Sequence, residues 1–329
     1  MKKIVLLLVS AALLAGLVLG AQILTKKDAD VPVENAGTAQ HAVVKPKTLT
    51  YEGQEYPMKE NLQTVLLIGT DSVDPYDEET AGYGVKYNWN QADFMVLLVL
   101  DTDGNKAQLI QLNRDTITPV PQRDMLGRYT ETTDMHLALS FNYGDGGAMS
   151  CKNTVQAASM LLFDAPIDHY IQIPMSAIGV LNDLVGGVPV TIQEDLTAAD
   201  PAFTEGSTIH LTGAQAERFV RARMELENDT NLARMARQRQ YMDSFQVQAR
   251  KAINTDSNFV MKLLEKLSAY LQSDMTAQQL SELVTRLDQG EIAPIRAAEG
   301  ELKLGEEYYE FYVDKASLWE LVRAAYCGE

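Results

Sequence analysis

The sequence is poor in the residues on which many familiar chemistries depend. It has two cysteines, Cys151 and Cys327, and four histidines. Two cysteines cannot build a disulfide framework; outside the cell they could form one bridge, or stay unpaired as small hydrophobes. No two histidines stand at metal-ligand spacing, which argues against a zinc centre. A G-x-S-x-G elbow, a Walker loop and a G-x-G-x-x-G loop are all missing, so serine, cysteine and nucleotide-dependent mechanisms are disfavoured. Positive charge is scarce as well: 28 Lys and Arg stand against 45 Asp and Glu, a net charge of -17. Such a chain does not bind nucleic acid or an anionic membrane surface through bulk charge. A phosphate ligand would need locally gathered cations, or a metal. Internal repeats and low-complexity tracts are lacking too.

What is present begins at the N-terminus. Met1-Lys2-Lys3 precedes an uncharged apolar stretch from Ile4 to Leu24, followed by Lys26-Lys27. About 20 apolar residues can cross a bilayer as a helix. The run exceeds a typical signal-peptide core, which favours an uncleaved anchor over residues 1–27. A cleaved leader is the alternative, and both export the rest of the chain. Residues 28–60 are polar, contain Pro32, Pro46 and Pro57, and read as a tether. Residues 61–329 remain for the body, and 46% hydrophobic content over the chain supplies a substantial core.

Within the body, Thr64–Ile68 and Phe94–Leu100 are short apolar runs of strand type. A turn signal at Asp101–Asn105 joins the second to Lys106–Leu112, predicting an antiparallel hairpin. Further strands are expected at His169–Ile173, Val188–Ile192 and Tyr308–Val313. Helices are expected at Asn153–Leu162, Met175–Leu184, Gly213–Arg223, Leu232–Ala252, Asn258–Gln272, Ala277–Leu287 and Lys315–Ala325. This alternation predicts an α/β fold, a central mixed β-sheet flanked by helices on both faces, with the last strand and helix completing that sheet.

Two groups of residues are candidates for chemistry. Asp71, Asp93 and Arg114 lie at the ends of predicted strands, where α/β sheets build sites. Two carboxylates at one sheet edge repel each other, and a divalent cation with oxygen ligands would remove that cost. Turn or cap roles are the ordinary alternative for Asp71 and Asp93. The second group is Arg218, Arg221, Arg223, Arg234, Arg237 and Arg239, six of thirteen arginines within 22 residues. Arginine forks suit phosphate oxygens. Arg234 and Gln238, four residues apart, share a helical face. Glu225, Glu227 and Asp229 could instead make this a salt-bridged surface helix.

The ordered segments VLLIGTD, QADFMVLLVLD, LNRDT, IDHYIQI, LVGGVPV, LTGAQAERFVRAR and DTNLARMARQRQ resemble the LytR–CpsA–Psr family from about Asn61 to Ala252. The resemblance implies an αβα sandwich outside the cell, held by a single-pass anchor. It implies transfer of a phosphorylated glycopolymer, such as teichoic acid or capsule, from a polyprenyl pyrophosphate carrier to peptidoglycan. The lipid tail would lie in a hydrophobic tunnel. Asp71 and Asp93 match the family's magnesium-associated aspartates, with manganese as an alternative ion. Arg114, Arg221 and Arg223 match its catalytic arginines, and Asp229 matches an acidic position that would accept a proton or orient arginines. Pyrophosphate contacts would come from Gln91, Arg114, Arg221, Arg223, Arg234, Arg237 and Gln238. Gln91 departs from the pattern, because the family usually has arginine there; Lys86 is a candidate replacement charge. Asn113 stands where proline is frequent, a change expected to matter little. Three rival readings stay open: a non-catalytic polyprenyl-phosphate-binding protein, a lipid pyrophosphatase and a regulatory membrane protein.

Overall fold

A computed structural model describes residues 48–71, 90–124, 127–222, 230–256, 259–267, 269–306 and 308–327. The expected anchor, Lys86, Arg223 and Asp229 lie outside the described residues. Among the described residues, no helix is long and apolar enough to cross a membrane.

The centre is a six-stranded mixed sheet built from β3 (Leu62–Thr70), β4 (Ala92–Asp101), β5 (Lys106–Leu112), β8 (His169–Pro174), β11 (Gln272–Ser273) and β12 (Glu291–Ala297). Its order is β11-β8-β3-β4-β5-β12. The predicted β4–β5 hairpin is present, β3 runs antiparallel to β4, and β8 runs parallel to β3. β3 and β4 read as unbroken apolar runs because both of their faces are buried. Val65, Val96 and Leu98 enter one core. Leu66, Met95 and Leu97 enter the other.

The first core is roofed by α2 (Ala177–Leu184), α3 (Gly213–Arg221), α4 (Asn231–Thr255), α5 (Phe259–Leu267) and α6 (Ala277–Gln289). The second is roofed by α1 (Ala148–Leu161) and α7 (Lys315–Tyr326). The expected layered α/β sandwich is therefore present. Thr212 and Thr276 open α3 and α6 with capping boxes, each hydroxyl accepting from the N3 amide.

Several expectations fail for local reasons. The tether expected over 28–60 is folded from Thr48 onward: β1 (Thr48–Tyr51) and β2 (Gln54–Pro57) form a hairpin. Its turn residues Glu52 and Gly53 both take positive φ, the geometry tight hairpins favour. Tyr51 stacks on Trp319 at 4.8 Å, so this hairpin belongs to the second core. The helix expected over Asn258–Gln272 stops at Leu267, and Gln272–Ser273 becomes β11. The final strand does not complete the central sheet. β14 (Tyr309–Val313) pairs with β13 (Gly300–Leu304), and the edge place beside β5 is taken by β12. Pro294 hid β12 from the sequence reading, since proline is tolerated only at sheet edges and bulges; here it falls within a register shift. Two further hairpins were not expected. One pairs β6 (Ile117–Arg123), which contains two prolines, with the exposed β7 (Tyr129–His136); the other pairs β9 (Val188–Thr191) with β10 (Thr208–Leu211). Both cysteines are free and buried in the second core, and burial pushes the Cys151 thiol far up.

Candidate functional site

The site forms where β3 ends and β4 begins. Asp71 follows β3 directly. Its N–H donates to the Gln91 carbonyl (3.2 Å), and its Oδ1 accepts from the Gln91 N–H (2.7 Å). Gly69 pairs with Phe94 and Thr70 with Ala92, which leaves Asp93 as the extra residue of a β-bulge. Bulges re-aim side chains beside sites. The strands also approach closely here, because a Cβ on Gly69 would meet the Phe94 Cβ at 2.9 Å.

Asp93 is the hub. One carboxylate oxygen pairs with Arg114, in the turn after β5, and the other with Arg234 on the first turn of α4 at 3.4 Å. The three side chains are 8%, 12% and 5% exposed, so this triad is largely withdrawn from water. Arg114 also donates to the Gln91 side-chain oxygen and lies 3.2 Å from Asp115. With Asp93 between the two guanidiniums, Asp115 beside Arg114 and Asp71 close by, the cluster gathers two cations among three carboxylates in a chain of net charge -17. Burial, together with the nearby Asp93 charge, raises the Asp71 carboxyl; the Gln91 amide and Arg114 act the other way.

Beneath this polar cluster, α4 lines an apolar cavity of about 800 Å³ including its mouth. Gln238, one turn after Arg234, faces it, followed by Tyr241, Met242 and Phe245; Leu67, Phe94, Ile173 and Met175 supply the opposite wall. Gln238 is buried, yet neither end of its amide has a hydrogen-bond partner among the described residues. A buried amide in that state is costly unless something else satisfies it. The expected shared face of Arg234 and Gln238 is thus present, and it points at the junction of charge and cavity.

The remaining candidates divide. Asp71, Gln91, Asp93, Arg114 and Arg234 form one cluster. Arg221 pairs with Glu217 at 2.8 Å and is more than a third exposed, with no contact to Asp93 or Arg114. Arg237, expected to face phosphate, is instead a brace: it pairs with Glu194 and donates to the Ala222 carbonyl. Its pKa is lowered by burial and supported by Glu194. Ala222 lies next to Arg221, so Arg237 holds the end of that arginine segment. Arg218 likewise pairs with Asp200 at 2.9 Å; the partners of these three arginines are thus Asp200, Glu217 and Glu194, while Glu225, Glu227 and Asp229 lie outside the described residues. Asn113, expected to matter little, is buried and accepts a hydrogen bond from Asn231 at 2.6 Å. The sequence reading missed Asn231 and Glu194, because partners 118 and 43 residues away leave no local signal.

Among the described residues, no group of three His, Cys, Asp or Glu side chains gathers to hold a metal. Two coupled carboxylates still fit magnesium, which typically takes one or two protein carboxylates and completes its shell with water and substrate phosphate. Asp71 Oδ2 accepts nothing from the described residues, and its carboxyl is raised first by burial and then by the Asp93 charge, both of which a cation would offset.

A largely buried ion cluster and an apolar cavity thus lie side by side at the β3–β4 end of the sheet. The chain belongs to the LytR_cpsA_psr family, whose profile matches residues 25–324. It is 30% identical over 152 residues to the polyisoprenyl-teichoic acid–peptidoglycan teichoic acid transferase TagU of Bacillus cereus strain AH820, covering 46% of this chain and 45% of that one. It is 25% identical over 248 residues to the TagU of Enterococcus faecalis strain ATCC 700802 / V583, covering 73% of each. In the first of these matches the chain thus spans less than half of the relative's length. The solved structure of TagT bound to LIIa-WTA aligns over 81% of this chain and 90% of that one, with a TM-score of 0.57 and 17% identity, a likeness of fold.

Proposed function

We propose that this protein transfers a phosphate-linked glycopolymer from a polyprenyl pyrophosphate carrier to peptidoglycan, at a site outside the cell. The observation that carries the reading is the junction of the Asp93–Arg114–Arg234 triad with the apolar cavity under Gln238. A diphosphate at the mouth and a prenyl tail below match that division of charge. The relatives, named polyisoprenyl-teichoic acid–peptidoglycan teichoic acid transferases, support the same chemistry.

In the reaction, a sugar hydroxyl of the acceptor attacks the glycan-bearing phosphorus. A new P–O bond forms, the bond to the bridging oxygen breaks, and lipid monophosphate leaves. Arg114 and Arg234 stabilise charge on the pyrophosphate oxygens, where withdrawal from water makes them most effective. Asp93 keeps both guanidiniums in place. Asp71 and Asp93 would hold magnesium, or manganese, which supplies Lewis-acid neutralisation of the phosphates. Gln91 orients Arg114 through its amide oxygen, and the Gln238 amide gains partners from the ligand's head. Arg223 would add a further pyrophosphate contact, as the resemblance implies, while Arg221 stays paired with Glu217. Asp229 accepts the hydroxyl proton or orients arginines. The apolar run Ile4–Leu24 anchors the chain so that the cavity meets lipid at the bilayer.

The test is a reconstituted assay with polyprenyl-pyrophosphate-linked glycan, peptidoglycan and magnesium. Wild type transfers glycan, and Arg114→Ala abolishes transfer with the fold intact. Release of lipid monophosphate without acceptor would make the protein a pyrophosphatase. Bound lipid that is never turned over would make it a carrier-binding protein. Full activity in Arg114→Ala would overturn the mechanism.

A further inference from the structure

We infer that Asn113 and Asn231 form a buried amide bridge that positions Arg114 and Arg234 around Asp93. Asn231 Nδ2 donates to Asn113 Oδ1 at 2.6 Å, and that oxygen also accepts the Asp115 N–H at 3.0 Å. The two residues are 6% and 1% exposed. The Asn113 carbonyl in turn accepts from the Thr116 N–H (3.1 Å) and hydroxyl (2.7 Å), so Arg114 sits inside a closed, rigid turn. On the other side, Asn231 begins α4, and Arg234 lies three residues on, on the same helical face. Thr230 caps that turn through the Ala233 N–H at 3.3 Å.

The result is a ring of contacts. Asp93 holds Arg114 and Arg234 through its two oxygens, and the asparagine bridge ties together the backbones that carry those arginines. Neutral amides suit the task, because they join two cationic segments without adding charge where an anion is to bind. The bridge also has a cost. Asn113 Nδ2 and Asn231 Oδ1 are buried without a hydrogen-bond partner among the described residues. An apolar pair would fill the space without that penalty, so the amides are there for the bond they make. These are positioning residues, since they act through the arginines.

The kinetic part of the test rests on the proposed transferase reading; the spectroscopic part does not. Guanidinium rotation and proton exchange of Arg114 and Arg234 are followed by 15N NMR in wild type, Asn231→Leu, Asn113→Ala and Asn113→Asp. The aspartate variant keeps an oxygen for both incoming bonds. Asn231→Leu should speed exchange about tenfold, the factor that about 1.4 kcal/mol gives, at Arg234 and also at Arg114 across the bridge. Asn113→Ala should do the same and stands in should the leucine variant not fold. Asn113→Asp should keep both arginines slow. In the transfer assay, Asn231→Leu should lower kcat about tenfold with KM for the lipid substrate within about twofold. Unchanged exchange at both arginines, or an effect confined to Arg234, overturns the bridge. A wild type that transfers nothing, yet shows the coupled exchange, overturns the transferase reading and leaves the bridge standing.

Discussion

Asp93→Asn is the most informative single change, because it tests the hub without changing side-chain shape. Asp93 is the carboxylate between two guanidiniums, and all three side chains are at most 12% exposed. Removing one partner of a buried ion pair costs about 3–5 kcal/mol, since the other charge is left uncompensated. Here Arg234 would lose Asp93 while Arg114 keeps Asp115 at 3.2 Å, so the whole of that range applies. At about 2–4 °C per kcal/mol, the melting temperature should fall by roughly 6–20 °C. The assay is urea unfolding, with an unchanged m-value showing that only stability moved. Inorganic pyrophosphate should then stabilise the variant more than wild type, because the cluster carries one negative charge fewer. Adding Arg234→Gln should cost less than the sum of the single changes, since those side chains share one interaction. A loss below about 1 kcal/mol with no response to pyrophosphate would refute the account of the triad as a buried, substrate-facing ion network.

Three further outcomes are expected. Burial holds the folded Asp71 carboxyl above its unfolded value, so the native state keeps that proton longer; stability should fall as pH rises from the ordinary carboxylate range through the raised pKa, then level off. Magnesium should raise the melting temperature above that window, and Asp71→Asn should remove both the slope and the magnesium effect in pH-resolved thermal melts. Met242→Trp should fill the apolar cavity and abolish binding of a fluorescent prenyl diphosphate, with unfolding free energy lowered by no more than about 1–3 kcal/mol. Arg237→Gln should cost about 2–3 kcal/mol in chemical denaturation, because it frees the Ala222 carbonyl and breaks the pair with the partly exposed Glu194; the loosened arginine segment should raise KM more than it lowers kcat.

Much of the molecule follows from local pattern. The apolar runs of β3 and β4, the Asp101–Asn105 turn and the periodicity of α2, α3, α4 and α6 are written in short windows, and they suffice for a layered mixed sheet. Strand ends also locate Asp71 and Arg114, and the scarcity of positive charge makes the arginines after Arg218 conspicuous. By contrast, β12 with its proline and β7 with its exposed threonines carry no apolar rhythm.

Composition, spacing and motif order therefore determined the family, the architecture and the short list of charged residues. Tertiary structure alone decided which of those charges meet. It placed Asp93 on a bulge between Arg114 and Arg234, turned Arg237 away to Glu194, and joined Asn113 to Asn231. The physical reason is that local order depends on neighbours within a few residues. A buried ion or amide, in contrast, is satisfied by whatever the fold brings beside it, and sequence distance says nothing about that.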